Sequence, residues 1–205
     1  MPTTSPAVSR RYHHGALAAA LQEAVVALVS ERGLGAVTMA ECARRAGVSP
    51  GAPYRHYAGL QDLLLATADA CTARWDARRA VHPVDLSDPE RALRNLHDDF
   101  FAFAQDEPGA FILIFDGGLQ RESATLATWS RAAFEQFVDL VAALTGTTRS
   151  ECRITALGII AIVFGHAKMS LAGFSGLTLQ RASQLSRANV EMLLAGFTTE
   201  REGRQ

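Results

Sequence analysis

The sequence predicts an all-α fold of about nine helices, arranged as a small N-terminal three-helix unit and a larger helical domain. Apolar residues recur at helical spacing along most of the chain, and the alternation typical of strands is almost absent. Breaks that contain glycine or proline divide the helical stretches from one another. With 205 residues and a hydrophobic fraction of 48%, the chain has enough apolar material for a real core.

The first helix is predicted from about residue 15 to residue 32, because Leu17, Leu21, Val25 and Leu28 recur on one face. A turn at residues 33–35 leads to a second, short helix.

The stretch TMAECARRAGVSPGAPYRHY, residues 38–57, is typical of two short helices joined by a tight turn. Thr38 and Glu41 have the spacing of a capping box at the start of the first of them. Gly47 stands where a left-handed helix end needs no Cβ. Ser49 is a good N-cap for the following helix, which we expect from about Pro50 to residue 57.

The predicted second helix of this motif carries DNA-binding chemistry. Tyr54 and His56 can donate to phosphates, and Arg55 can bind a phosphate or read a guanine. Pro53 disfavours a regular first turn, so we expect a distorted or 3₁₀-like start. Taken alone, the pattern also fits an ordinary helical hairpin with solvated side chains.

Residues 12–70 resemble the N-terminal domain of TetR-family transcriptional regulators. The resemblance rests on YHHGALAAALQEAVVALVSERG and on the run T-x-x-x-x-A-x-x-A-G-V-S-x-G-x-x-Y-x-H-Y that ends at Tyr57. It implies a DNA-binding domain at residues 10–58 and an effector-binding and dimerisation domain at 59–200. Leu60 stands where the family commonly has a phosphate-gripping Lys, so that contact is not carried over.

The charge is divided unevenly between the two parts. Residues 1–56 carry six Arg against three Glu, and residues 57–205 carry 14 basic against 18 acidic residues. A basic head on an acidic body suits a protein that touches DNA at one end. Arg10 and Arg11 precede the first helix. We expect them to reach an adjacent minor groove, and the alternative is a solvated tail. The predicted DNA-binding residues are Arg10, Arg11, Thr38, Ser49, Pro50, Gly51, Ala52, Tyr54, Arg55 and His56.

The larger domain is predicted to begin with a long linking helix, at about 60–79. Five further helices follow at about 89–105, 108–116, 121–145, 148–173 and 179–197. The apolar stretch 154–172 is interpreted as a buried helix and not as a membrane span, because charged residues interrupt or flank it.

Helices of this part enclose an effector cavity in the family that the chain resembles. Such cavities are apolar with a few polar groups, and the chain places many aromatic residues here. Packing within the core is the alternative for each of them, and for His166 above all. The candidate pocket residues are His97, Phe100, Phe101, Phe111, Phe115, Trp129, Phe134, Phe164 and His166.

The last two long helices are predicted to form a dimer interface, as the resemblance implies a four-helix bundle between two copies. The alternative is burial within one subunit. Dimerisation would let two short recognition elements read half-sites of a palindromic operator in double-stranded DNA. The candidate interface residues are Leu157, Ala161, Phe164, Lys168, Leu185, Ala188 and Met192.

Other function classes find little support in the sequence. It has none of the common catalytic or phosphate-binding motifs, so we expect no enzyme, no catalytic residues, no cofactor and no metal site. Three scattered cysteines and the lack of a signal peptide indicate the cytoplasm.

The sequence therefore predicts a homodimeric DNA-binding transcriptional regulator. The expected output is repression, with release from the operator by a small hydrophobic effector. The alternative is a dimeric DNA-binding protein without an effector, and that alternative predicts a filled core.

Overall fold

The structure is a computed structural model that describes residues 14–115 and 118–202. In this part of the chain every regular element is helical, which confirms the predicted fold class. The α-helices are α1 (His14–Arg32), α2 (Met39–Arg45), α3 (Leu60–Arg79), α4 (Pro89–Asp106), α5 (Pro108–Phe115), α6 (Ala124–Thr145), α7 (Arg149–Leu171) and α8 (Leu179–Glu202).

The helix-turn-helix begins with α2. The Thr38 hydroxyl accepts a hydrogen bond from the Glu41 amide at 3.1 Å, which is half of the predicted capping box. The Glu41 carboxylate binds Arg44 and Arg32 instead of completing the box. Gly47 ends the helix with φ +69°, and the Val48 amide donates to the Ala43 carbonyl at 3.0 Å. This is a Schellman motif, whose left-handed residue favours glycine.

The segment after this turn is not the α-helix predicted for residues 50–57. Its regular part is a 3₁₀ turn, Pro53–Arg55, preceded by a bonded turn from the Ser49 carbonyl to the Ala52 amide at 2.9 Å. Pro53 has no amide hydrogen to donate and disfavours helical geometry before it. The distortion expected for the first turn thus extends through most of the segment. We call residues 49–57 the recognition segment.

A continuous hydrophobic core joins the head, α1 to the recognition segment, to the body that follows. Leu21 and Leu28 of α1 belong to the same buried cluster as Phe103 and Leu113 of the body. Helix α5 packs on both α1 and α3, so the head is packed against the body and does not stand apart from it. Gly109 marks the closest approach, because a Cβ there would lie 2.1 Å from the Val26 carbonyl oxygen.

Helices α6, α7 and α8 share a second buried cluster that includes Val138, Ile159 and Val190. The interpretation of residues 154–172 as a buried helix is wrong in part. Only 22% of the most apolar stretch of α7 is buried, so the helix covers the core with one face and leaves the other open. By length and composition alone, α7 is the one described helix that could cross a membrane.

Candidate nucleic-acid interface and cavity

The recognition segment is anchored by two buried residues and presents two exposed ones. Pro53 and Tyr57 are buried, and the Tyr57 hydroxyl accepts a hydrogen bond from the Gln22 amide group at 3.2 Å. Burial raises the pKa of Tyr57, which therefore keeps its proton. Between the anchors, Tyr54 is 59% exposed and Arg55 is exposed beside it. The segment thus holds a phenol and a guanidinium toward solvent on a fixed base.

Arg55 differs from the other arginines described in the head. Arg45 binds the Glu31 carboxylate at 2.5 Å, and both Arg44 and Arg32 bind Glu41. Arg44 lowers the pKa of Glu41 to about 2. Within residues 14–58, Arg55 is the arginine that has no carboxylate at ion-pair distance. Its guanidinium is therefore available to a phosphate or a base edge.

The remaining predicted DNA-binding residues surround this pair. Ser49, Pro50 and Gly51 are exposed, whereas Ala52 and His56 are half-buried. Small side chains at the start of the segment leave room for a nucleic-acid backbone to come close. Thr38 is exposed, although its hydroxyl already caps α2. The predicted contacts of Arg10 and Arg11 lie outside the described residues.

The body contains a partly open cavity of about 1420 Å³ between α3, α4, α6, α7, α8 and the loop that follows α3. Its size is above the usual range for a drug-sized ligand, and apolar side chains dominate its wall. Leu86 of the loop is exposed at the wall, so the cavity is not sealed. The cavity is thus neither the filled core that would favour a protein without an effector nor the closed cavity that would argue against one.

Aromatic rings form one side of the cavity around Phe115. The Phe115 ring centroid lies 5.6 Å from that of Trp75, 5.2 Å from Phe164 and 6.0 Å from Trp129. Two of these contacts are edge-on, the arrangement that aromatic quadrupoles favour. The cluster therefore offers ring faces and edges from α3, α5, α6 and α7 to anything that enters.

Six of the nine predicted pocket residues lie on the cavity wall: His97, Phe100, Phe115, Trp129, Phe134 and Phe164. The other three lie elsewhere. Phe101 and Phe111 are buried behind the wall among other rings, and His166 bonds the Ile162 carbonyl of its own helix at 2.7 Å. The resemblance implied that this linking helix borders the cavity, but the candidate list missed the residues that its last turns supply, Trp75, Asp76 and Arg79. The sequence signal that could have identified these residues is the pair Trp75–Asp76, a tryptophan beside a carboxylate near the end of the linking helix.

Polar groups on the wall are held in place by neighbours. The Trp129 indole donates to the Asp76 carboxylate at 3.1 and 3.3 Å, which ties α6 to α3. The buried Asp99 carboxylate accepts from Arg79 at 2.5 Å and approaches His82 at 3.1 Å. These contacts fix the end of α3 against α4 and α6.

His97 is buried on α4 with its Nε2 atom 3.2 Å from the Ser186 hydroxyl of α8. Burial lowers the pKa of His97, more than the nearby Asp98 raises it. The ring is thus neutral near pH 7 and joins the two helices as a hydrogen-bonding group.

A polar bridge links the cavity to the N-terminal end of α3. The side-chain amide of Gln61, at the start of α3, donates to the Glu122 carboxylate at 2.7 Å. Glu122 directly follows the 3₁₀ turn Leu119–Arg121, in which Gln120 lines the cavity. A displacement of this turn would therefore reach the head without passing along α3.

The outer face of α7 and α8 is unusually apolar. Ile154 is 83% exposed, Leu157 55% and Met192 72%. Ala161, Lys168 and Ala188 of the predicted interface are also exposed, and Leu185 is half-buried. Phe164, assigned to both sets, packs against Phe100 with 4.9 Å between centroids and so faces inward. Gly158 likewise faces α8 of the same chain, where a Cβ would lie 3.1 Å from Leu193.

Among the described residues, no group of three or more His, Cys, Asp or Glu side chains could hold a metal ion. The three cysteines are buried as free thiols, and burial raises the pKa of Cys71 to about 11. A protonated, buried thiol is a packing group and not a reactive one.

An exposed recognition segment on an all-helical body with a large, partly open cavity is typical of helix-turn-helix regulatory proteins. The family model described as "Bacterial regulatory proteins, tetR family" matches residues 21–67. The chain is 27% identical over 143 residues to the HTH-type transcriptional activator FasR of Mycolicibacterium smegmatis. That match covers 67% of this chain and 64% of the relative's length.

Solved structures share the fold over nearly the whole chain. A TetR-like transcriptional regulator from Rhodococcus sp. RHA1 is 19% identical with a TM-score of 0.69, over 91% of this chain and all of that one. A structure from Saccharomonospora viridis in complex with choline is 17% identical with a TM-score of 0.64, over 85% of this chain and 95% of that one. Residues 21–67 therefore match the tetR family model of bacterial regulatory proteins, and the chain as a whole shares the fold of TetR-like regulators.

Proposed function

We propose that this protein is a homodimeric transcriptional repressor that leaves its operator when a small, largely apolar effector fills the cavity of the body. The observation that carries the DNA-binding part is the exposed pair Tyr54–Arg55. Every other described arginine of the head is held by a carboxylate, whereas Arg55 is free to meet DNA. The cytoplasm, where the operator lies, is the compartment that we propose.

Dimerisation through the open face of α7 and α8 supports operator binding. Ile154, Leu157 and Met192 are exposed apolar side chains on two helices that pack on each other, and exposed apolar surface of this kind is typical of interaction sites. Two copies related by a two-fold axis would place two recognition segments on one side of a palindromic DNA site. A single short segment would bind too weakly to hold an operator.

The effector part of the proposal is supported by the cavity and its link to the head. An effector that displaces Gln120 would move Glu122, and Glu122 holds Gln61 at the start of α3. Ligand and DNA would then oppose each other through a coupling free energy of about 1–3 kcal/mol. The choline complex of the structurally similar protein supports a small-molecule ligand at this fold.

Activation is a second candidate for the sign of control. The curated relative with 27% identity is named as a transcriptional activator. A promoter reporter separates the two signs: a repressor lowers basal transcription when it is expressed, and an activator raises it.

The DNA-binding proposal is tested with the purified full-length protein and DNA fragments selected from its own genomic region, by fluorescence anisotropy. Arg55→Ala should weaken binding to the selected site by about 1–3 kcal/mol if Arg55 reads a base. An equal loss on all sequences would make Arg55 a phosphate contact. Arg44→Ala is the matched control, because Arg44 is already bound to Glu41. Affinity that does not fall with salt would refute DNA binding itself.

The coupling route is tested by Glu122→Ala, which removes the bond to Gln61 without touching the recognition segment. Operator affinity should persist while release by the effector is reduced. Full release in this variant would exclude the Gln61–Glu122 bridge as the route.

A further inference from the structure

We propose that the effector of this cavity is an organic cation, a protonated amine or quaternary ammonium group carried on an apolar body. The inference rests on the proposed function, because it names the chemical class of ligand for the same cavity. It follows from two observations on the described residues: the arginines on the cavity wall are paired with carboxylates, and two carboxylates on the wall are not paired with a cation.

Every arginine on the cavity wall is bound to a carboxylate. The pairs are Arg79–Asp99, Arg94–Glu90 and Arg187–Asp98. The Arg79–Asp99 pair is the most enclosed, with side chains 13% and 10% exposed. Since burial lowers the pKa of His97, that ring adds no positive charge near neutral pH. An anionic ligand would therefore find no free cation among the described residues of the wall.

Two carboxylates on the wall remain without a cation. Asp76 of α3 and Glu191 of α8 line the cavity, and neither has an Arg, Lys or His at ion-pair distance among the described residues. The other two carboxylates on the wall, Glu90 and Asp139, are bound by Arg94 and Arg149. Both unpaired side chains are exposed, so this unpaired negative charge lies where the cavity meets solvent, and a bound cation would neutralise it.

The position of Asp76 adds aromatic faces to this charge. Asp76 accepts the indole N–H of Trp129, and the Trp129 ring lies 6.0 Å from that of Phe115. Tryptophan is the ring that binds cations best through its face, and quaternary ammonium groups are typical ligands of aromatic clusters. A cation at Asp76 would meet the carboxylate, and the rings of Trp75, Trp129 and Phe115 line the same cavity around its apolar body.

The location also explains how such a ligand would act. Asp76 lies on α3, the helix that begins at the recognition segment and ends at the cavity. A cation that competes with the Trp129 indole for the Asp76 carboxylate would loosen the tie between α3 and α6. Charge recognition and signal transmission would therefore use the same residue.

The test compares three ligands with the same ten-carbon chain and different head groups: decyltrimethylammonium, decanol and decanoate. The chain contains two tryptophans, Trp75 and Trp129, and both line the cavity. Their fluorescence therefore reports binding directly, with each ligand kept below its micelle concentration. We expect decyltrimethylammonium to bind about tenfold more tightly than decanol, and decanoate to bind more weakly than either.

Asp76→Asn keeps an acceptor for the Trp129 indole and removes the charge. We expect it to weaken decyltrimethylammonium binding about tenfold and to leave decanol binding unchanged. Asp106→Asn is the control, since it removes the same charge outside this cavity. Decanoate binding as tightly as the cation, no binding of the cation, or an equal effect of Asp76→Asn on cation and alcohol would overturn the inference.

Operator release by the same ligands keeps the two proposals apart. If decanol or decanoate binds and releases the operator while the cation does not, the effector function stands and the cation inference fails. If the cation binds with the predicted dependence on Asp76 but leaves the operator complex intact, the ligand class stands and effector control fails.

Discussion

Gly109→Ala tests how the head is joined to the body. Gly109 is buried near the start of α5, against the backbone of α1. A Cβ at this position would lie 2.1 Å from the Val26 carbonyl oxygen and 3.2 Å from the Ser30 amide nitrogen. Both neighbours are backbone atoms of a regular helix, so no side-chain rotation relieves the overlap.

The cost follows from that geometry. To restore an ordinary carbon–oxygen contact, α5 and α1 must separate by more than 1 Å at this point, roughly the difference between 2.1 Å and van der Waals contact. Overpacking of a core costs about 1–3 kcal/mol, and the rigid backbone on both sides favours the upper end. For a chain of this length, about 3 kcal/mol corresponds to a fall in Tm of roughly 6–12 °C.

The assay is thermal unfolding followed by helical circular dichroism, at one protein concentration because a dimer's Tm depends on concentration. Gly35→Ala is the control, since its added Cβ would have no neighbour within 4 Å and its φ is not left-handed. A Tm for Gly109→Ala within 2 °C of the unchanged protein would refute the close packing of α5 on α1. It would also remove the argument that head and body share one core.

Three further predictions concern the cap, the buried histidine and the dimer face. Thr38→Ala removes the hydroxyl that caps α2 and should lower the free energy of unfolding by about 0.5–2 kcal/mol, with Thr38→Ser close to unchanged; equal denaturation midpoints for all three proteins would contradict this. The pKa of His97 is lowered in the folded state, so the unfolded chain takes up its proton first as the pH falls below about 6.5. Stability should therefore decline from pH 7 to pH 5, with a flatter decline in His97→Gln, and identical slopes in urea unfolding would show that His97 is not the cause. Ile154→Arg should give a folded monomer in sedimentation velocity while Val81→Arg, an exposed residue outside that face, stays dimeric; a dimer in both would place the interface elsewhere.

Much of the head could be predicted because its signals are local. The Thr38 cap and the Gly47 turn depend on residues three or four positions away, and the structure has both. The conformation of the recognition segment was harder to predict, since Pro53 disfavours an α-helix but does not specify which other structure forms. Whether this segment forms 3₁₀ hydrogen bonds or an α-helix depends on the burial of Pro53 and Tyr57. The local sequence does not reveal that burial.

The cavity depended on long-range packing. Aromatic residues at helical spacing can fill a core or line a wall, and the sequence treats Phe111 and Phe115 alike. The structure buries Phe111 and leaves Phe115 at the wall, because helices distant in sequence decide which face is covered. For the same reason the sequence did not identify Trp75 and Asp76 as the cavity-lining residues of α3.

The all-helical class, the helix-turn-helix and the resemblance to one family could be predicted from the sequence, because periodicity, caps and turns act over a few residues. Which charged side chains are paired within the protein, and which are not, depends on contacts between distant helices. Arg55 and Asp76 look like any other Arg and Asp in the sequence, and it takes the structure to show that Arg55 has no ion-pair partner within the described head and that Asp76 has none on the cavity wall. Ion pairs join residues up to 89 positions apart in this chain, a separation at which no local pattern predicts contact.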